Sequence, residues 1–328
     1  MRVTLPSDLA APIYVAGHRG LAGSAIMAEL TRRGHTNVFG WTSQELDLRD
    51  SDAVRAAIEE TRPAVIVMAA ARVGGILANA EHPVDFLNDN LLIQTSLFEA
   101  AHACDVDRLL FLGSSCIYPK MAPQPIPESA LLTGPLESTN QAYATAKIAG
   151  LMAVRAYRQQ YGRRWISAMP TNLYGPGDNF DLRTAHVLPA LIRRFHEAVV
   201  AGATEVSLWG TGRPRREFLH VDDMARAAVF LLANYDGEQH VNVGTGKDVT
   251  IADLAALIAG VVGYEGDIGW DTARPDGTPR KVLDTSMITA MGWRPTVGLR
   301  DGVEQVYEWF TAEGTSHRRR GVDLPSAG

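Results

Sequence analysis

Through the first half of the chain, short apolar runs alternate with stretches whose apolar positions recur every three to four residues. "PIYVAG" (12–17) reads as a buried strand ended by Gly17, and the pattern returns in "NVFGW" (37–41), "AVIVMAA" (64–70), "RLLFLGS" (108–114) and "WISAMP" (165–170). Unbroken apolar runs of this length suit strands covered on both faces. Between them, Ala22, Ile26 and Leu30 share one helical face ahead of Gly34. Residues 52–63 read as a helix that stops before Pro63, and longer helical patterns cover 83–103 and about 143–161. Strands alternating with helices imply right-handed crossovers. The expected fold class is therefore α/β: a doubly wound parallel sheet of the Rossmann type, with ligands at the carboxyl ends of its strands.

The texture changes after Pro170. "TNLYGPGDNFDLRTAH" is rich in Gly, Asn, Asp and Pro, and the later apolar pieces "EVSLWG", "REFLHV" and "HVNVGTG" are short strands separated by helical patterns such as 222–234 and 251–263. This predicts a dinucleotide-binding domain over 1–172, rejoined by a segment around 220–248. A smaller α/β substrate-binding domain would take 173–219 and 249–328, with a frayed tail at 317–328. No internal repeat or low-complexity tract interrupts the chain.

Composition adds exclusions more than identity. Of 328 residues, 46% are hydrophobic and 21% charged, an ordinary globular balance, and the net charge of -6 speaks against nonspecific nucleic-acid binding. No run of about 18 apolar residues offers a membrane span, and "MRVTLPSDLAAP" lacks the apolar core of a signal peptide. Only two cysteines occur, Cys104 and Cys116, so a disulfide framework is not expected and the cytoplasm is the expected location. Cys104 falls on a helical apolar face and reads as core.

The chemistry concentrates in three places. "GHRGLAG" sets Gly17, Gly20 and Gly23 between a strand and a helix, where a tight turn would let a pyrophosphate sit on the helix N-terminus. An NAD-selective site would carry an acid at the end of the second strand. Here Gly40, Trp41, Thr42 and Ser43 stand there instead, and Arg19 in the glycine loop could meet a 2′-phosphate, so NADP(H) is the expected cofactor. "YATAK" puts Tyr143 and Lys147 on one helical face, where an ammonium would lower the phenol's pKa and make it a usable acid/base. Ser114, at a strand tip, could share the same substrate oxygen. "GSSCIYP" places Cys116 beside it, readable either as a small residue under a loop or as a reactive thiol. His186 stays equally open, and the histidines at 18, 35, 82, 102, 196, 220, 240 and 317 read as structural or surface, with the cap of the helix at 222–234 expected at Asp222 or Asp223. No His, Cys or acidic spacing suggests a metal.

The order of "GHRGLAG", "GSSCIYP", "YATAK" and "PTNLYGPGDNF", followed by "WGTGRPRREFLHVDDMA" and "PDGTPRKVLD", resembles the extended short-chain dehydrogenase/reductase family over roughly residues 13–300. Within it, the chain looks like the epimerase–reductases of GDP-4-keto-6-deoxy sugars. The family's usual Arg near the end of the second strand is replaced here by Trp41-Thr42-Ser43. The resemblance implies NADPH-dependent 3,5-epimerisation and 4-reduction, with Cys116 as epimerisation base and His186 as its acid partner. It implies Ser114, Tyr143 and Lys147 at the carbonyl, the last two also touching the cofactor. Arg194, Arg216 and Lys281 would hold the nucleotide diphosphate and sugar, with Asn172, Val187 and Trp209 lining the pocket. It also implies a homodimer paired through the long helices near 84–103 and 143–161. A nucleotide-sugar 4-epimerase or 4-reductase, a GDP-deoxyheptose enzyme and a catalytically silent dinucleotide sensor are the rival readings.

Overall fold

The five apolar runs become parallel strands of one sheet. In the computed structural model, which describes residues 5, 7–274 and 276–312, they are β1 (Ile13–Ala16), β2 (Val38–Phe39), β3 (Val65–Met68), β4 (Arg108–Leu112) and β5 (Ile166–Pro170). The expected frayed tail at 317–328 lies outside the described residues. The remaining strands are β6 (Asn172–Tyr174), β7 (Glu205–Trp209), β8 (Arg215–His220), β9 (Val241–Val243), β10 (Asp248–Thr250), β11 (Asp267–Asp271) and β12 (Arg280–Lys281). The helices are α1 (Leu21–Arg32), α2 (Ser51–Thr61), α3 (Ile76–Glu81), α4 (Pro83–Ala103), α5 (Gln141–Tyr161), α6 (Val187–Ala201), α7 (Val221–Asn234), α8 (Ile251–Val262), α9 (Ser286–Ala290) and α10 (Leu299–Ala312).

The main sheet runs β2-β1-β3-β4-β5-β9, parallel throughout. From β1 the chain turns one way to β2 and the other way to β3, which opens a ligand crevice above the end of β1. Strand alternation divides the core between two faces. Tyr14, Ile66 and Phe111 pack under α2, α4 and α5 with Ile58, Phe98 and Leu151. Ile13, Val65 and Leu110 pack against α1 and α7 with Ile26, Met224 and Leu231. The segment that contributes α7 and β9 thus belongs physically to this sheet. So do Ile288 of α9 and Trp293, which pack on the α1–α7 face although they come from farther along the chain.

A third apolar cluster joins α6, α8 and α10 through Ile192, Phe195, Leu254, Ile258, Val303 and Val306. Beside it, β8 pairs with β6, β10 and β12 and carries residues towards the crevice, with Lys281 opposite Arg216. Two local expectations change. The second strand shrinks from 37–41 to Val38–Phe39, because Gly40 turns away against the His18 ring, where even a Cβ would come within 2.5 Å of the ring carbon Cγ. The cap of α7 is His220, whose Nδ1 accepts from the Asp222 amide, and not Asp222 or Asp223. Asp223 is fully buried and accepts from the Thr296 and Val297 amides at 2.8 and 2.9 Å. Among the described residues no helix is long and apolar enough to cross a membrane.

Candidate active site

Two adjoining regions lie above the carboxyl ends of the strands. The first is a cavity of about 290 Å³ lined by Gly17, His18, Arg19, Gly20, Trp41, Thr42, Ser43 and Gln44. Its tightness explains the glycines. Gly17 sits at φ +83, and a Cβ at Gly23 would stand 2.1 Å from the Gly17 carbonyl oxygen, so α1 can pack against the turn only without side chains there. Gly20 caps α1 with no side-chain acceptor, and the first turn holds no acid, so its amides and the helix dipole are free for an anion. These residues fit a dinucleotide diphosphate. His18, expected to be structural or surface, lines this cavity instead. The nearest acid, Glu45, is already occupied: its carboxylate accepts from the Thr42 amide at 2.7 Å.

The second region surrounds the thiol of Cys116. Ser114, two residues past the end of β4, is extended and caps a 3-10 turn over Ser115–Ile117, its hydroxyl accepting from the Cys116 amide at 3.2 Å. Its hydroxyl also acts on both the Tyr143 phenol and the Cys116 thiol, favouring the ionised form of each. Two further donors converge on sulfur: Asn140 Nδ2 and Lys281 Nζ, each 3.4 Å away. Burial alone would raise the thiol's pKa. The Lys281 charge, the hydrogen bonds from Ser114 and Lys281 and the more distant Arg216 outweigh it, and the net shift is downward from 9.0. That is a thiol prepared to ionise.

Tyr143 and Lys147 are one turn apart on α5, as expected, but the electrostatics differ from the expectation. Lys147 Nζ donates to the Leu112 carbonyl at 2.9 Å and stands 5.9 Å from the centre of the Tyr143 ring. Burial lowers its pKa to about 7, and burial, followed by the Cys116 charge, raises that of Tyr143. The ammonium is spent on a backbone carbonyl and does not draw the phenol down. In this arrangement Tyr143 is a protonated donor across the neutral range.

His186 caps α6 and remains exposed, so the lowering of its pKa reflects a crowded cleft wall, and next the Lys281 charge, without full burial. Lys281 therefore acts on both Cys116 and His186. Arg216, opposite Lys281 on β8, donates to the Arg215 carbonyl at 2.8 Å and adds positive potential near the thiol. Other expected pocket residues are more dispersed. Asn172 uses its amide on the Glu217 carbonyl at 2.8 Å. Val187 opens α6 and packs on the third apolar cluster. Trp209 is half exposed at the end of β7 under the Arg274 guanidinium, 4.9 Å from the ring centre. Arg194 makes no ion pair or hydrogen bond among the described residues. Among the described residues no cluster of His, Cys and acids could hold a metal.

Sequence reasoning overlooked Asn140, three residues before Tyr143, and gave Lys281 to the substrate alone. The pairing of β12 with β8, which brings Lys281 to the thiol, spans too much chain to be visible in local spacing.

Comparison with known proteins agrees with this geometry. Residues 13–244 match the model of the NAD dependent epimerase/dehydratase family. The chain is 57% identical over 308 residues to GDP-L-fucose synthase 1 of Arabidopsis thaliana, covering 94% of this chain and 95% of that one. It superposes on a GDP-L-fucose synthetase of Naegleria fowleri bound to NADP with a TM-score of 0.88 at 27% identity, over 97% of this chain and 98% of the other. A GDP-6-OMe-4-keto-L-xylo-heptose reductase of C. jejuni superposes with a TM-score of 0.89 at 34% identity, over 93% and 99%.

Proposed function

The chain belongs to the NAD dependent epimerase/dehydratase family, and from that premise we propose that it epimerises C3 and C5 of GDP-4-keto-6-deoxy-D-mannose and reduces C4 with NADPH, giving GDP-L-fucose. The observation that carries both halves is the Cys116 thiol held 3.4 Å from Lys281 Nζ, with Ser114, which accepts the Cys116 amide at 3.2 Å, acting on this thiol and on the Tyr143 phenol alike. A 4-keto group held by Ser114 and Tyr143 acidifies its neighbouring C–H bonds. The Cys116 thiolate removes a proton from C3 or C5, the two hydroxyls hold the enolate oxygen, and His186 returns a proton from the other face, inverting the centre. Gly17, Gly20 and Gly23 would hold the diphosphate of NADPH, which when bound would supply hydride for C4. Tyr143 then gives its proton to the alkoxide oxygen. Arg194, Arg216, Lys281, Asn172, Val187 and Trp209 are read as substrate contacts, with Arg fit for a bidentate grip on diphosphate.

The test is direct. The purified protein, given NADPH and GDP-4-keto-6-deoxymannose, should oxidise the cofactor and yield a product inverted at C3 and C5. Reduction without inversion would favour the second reading, a plain 4-reductase such as the heptose enzyme whose fold it shares.

Arg19 on the cavity wall supports selection of the 2′-phosphate, with the neighbouring Glu45 carboxylate tied by one oxygen to the Thr42 amide. Arg19→Ala should weaken NADPH binding about tenfold or more, the loss of one charged hydrogen bond of ~1.5–3 kcal/mol, with NADH affinity unchanged. Titration by cofactor fluorescence decides it, and equal losses for both cofactors would refute the assignment.

We read the division into a cofactor domain (1–172, around 220–248, and the α9 stretch that packs on its sheet) and a substrate domain (173–219 and the rest of 249–328) as the frame for this cleft. Pairing of two chains is proposed through α4 and α5, where α4 leaves Val84 and Leu92 exposed and α5 leaves Tyr161 exposed at its end. Leu92→Asp should convert a dimeric sedimentation mass to a monomeric one, and a wild-type mass of one chain would refute pairing. Two free cysteines support a cytoplasmic location.

A further inference from the structure

Two residues beyond Cys116, the Tyr118 side chain turns into a buried polar chain. Arg155 Nη2 lies 3.2 Å from His240 Nδ1, His240 Nε2 lies 2.9 Å from the Tyr118 hydroxyl, and that hydroxyl bonds Asn242 Oδ1. A guanidinium only donates, so Nδ1 accepts and Nε2 carries the ring proton. The Tyr118 proton is then directed at Asn242, a tautomer assigned from the network itself. Asn242 continues in the same sense: Nδ2 donates to the Ile126 carbonyl at 2.9 Å and to the Asp284 carbonyl at 3.2 Å. Its backbone amide donates to Glu128 at 3.0 Å. Tyr118 is 3% exposed, and His240 and Asn242 are 0% exposed, so each of these bonds is made without competing water.

The two ends of this chain are the two pieces that meet at the thiol. Cys116 and Lys281 lie 165 residues apart in sequence, yet their side chains are in contact. Tyr118 follows Cys116 by two residues, and Asp284 follows Lys281 by three. We propose that Asn242 is the positioning residue that sets the Cys116 thiol against the Lys281 ammonium, its oxygen fixing the Cys116 loop and its nitrogen fixing the strand that carries Lys281. The same segments are also stitched away from Tyr118: the Ile126 amide donates to the Val282 carbonyl at 2.8 Å, the Asp284 amide to the Ile126 carbonyl at 2.9 Å and the Val282 amide to Gln124 Oε1 at 2.9 Å. The Asn242 side chain is what ties Tyr118 to that stitched pair. The proposal rests on the proposed function only for the consequence that the thiol is a base. The geometry it describes holds in either case.

The test uses the full-length enzyme and two variants. Tyr118→Phe removes only the hydroxyl, and Asn242→Asp keeps an acceptor for Tyr118 while losing the amide's two donations. Alkylation of Cys116 by iodoacetamide is followed against pH, with the Cys116 peptide quantified by mass spectrometry so that Cys104 does not contribute. The alkylation midpoint should rise by about one unit in both variants, with the neutral-pH rate falling to about a tenth, as a partner cation drifts from the thiolate. NADPH affinity should stay unchanged, which a general loss of structure would not allow. An unchanged midpoint in either variant that still binds NADPH overturns the proposal, and Tyr118→Phe decides alone if Asn242→Asp does not fold. Failure of the proposed function reads differently: the wild-type enzyme would then reduce C4 without inverting C3 and C5, whatever the alkylation midpoint does.

Discussion

Cys116→Ser is expected to lose exchange of the substrate's C3 and C5 protons with solvent deuterium by about 10²–10⁴-fold, the usual contribution of a positioned general base. Serine keeps the size and the hydrogen bonds from Asn140 and Lys281, but its hydroxyl does not ionise near neutrality. The change therefore removes the base and little else. The measurement is deuterium incorporation by NMR in the presence of enzyme without reductant. Exchange at the wild-type rate would take sulfur out of the mechanism.

The pH dependence follows from the same contacts. Exchange needs Cys116 ionised and His186 protonated, so its rate rises as the thiol loses its proton and falls as the imidazole loses its own, a bell-shaped profile. Lys281 lowers both groups, since a cation favours thiolate and disfavours imidazolium. The bell should accordingly lie lower on the pH scale than for an unperturbed pair. Lys281→Met should move both limbs upward. A shift of one limb alone would mean that Lys281 reaches only one of the two groups.

Much of this frame is legible in the sequence itself, and the reason is locality. A buried parallel strand is an unbroken apolar run, and the glycine turn and the Tyr143–Lys147 spacing each fit within a few residues, so β1, β3, β4, β5 and the cradle are legible. Beyond Pro170 the pieces "EVSLWG", "REFLHV" and "HVNVGTG" still show as strands and become β7, β8 and β9, but β6, β10 and β12 are only two or three residues long and β12 pairs with β8 across a long gap, so periodicity does not identify those. The same limit hides the thiol's surroundings. Asn140 and Lys281 matter because of where separate segments meet, and nothing in "ESTNQAY" or "TPRKVLD" marks either as a partner of sulfur. The electrostatic expectation at Tyr143 fails for a related reason. Spacing puts an ammonium near the phenol, but only coordinates reveal that the ammonium is bound to the Leu112 carbonyl.

That failure changes the second large prediction in a specific way. A phenol held protonated by burial and by the neighbouring thiolate is suited to give a proton to an alkoxide, which is the step that completes reduction at C4. Tyr143→Phe should therefore suppress NADPH oxidation by about 10²–10⁴-fold, while exchange at C3 and C5 falls much less, because Ser114 still bonds the carbonyl oxygen. Cys116→Ser should show the converse, abolishing exchange but leaving the reductive proton donor intact. Since reduction draws on Tyr143, which stays protonated through neutrality, its rate with an already epimerised 4-keto sugar should not follow the Cys116–His186 bell, and a change near pH 7 would report the titration of Lys147. Absorbance at the nicotinamide band and deuterium incorporation, measured on both variants, separate the two halves. If reduction persists at near-normal rate in Tyr143→Phe, the proton must come from elsewhere in the cleft, and Ser114 becomes the group to replace next.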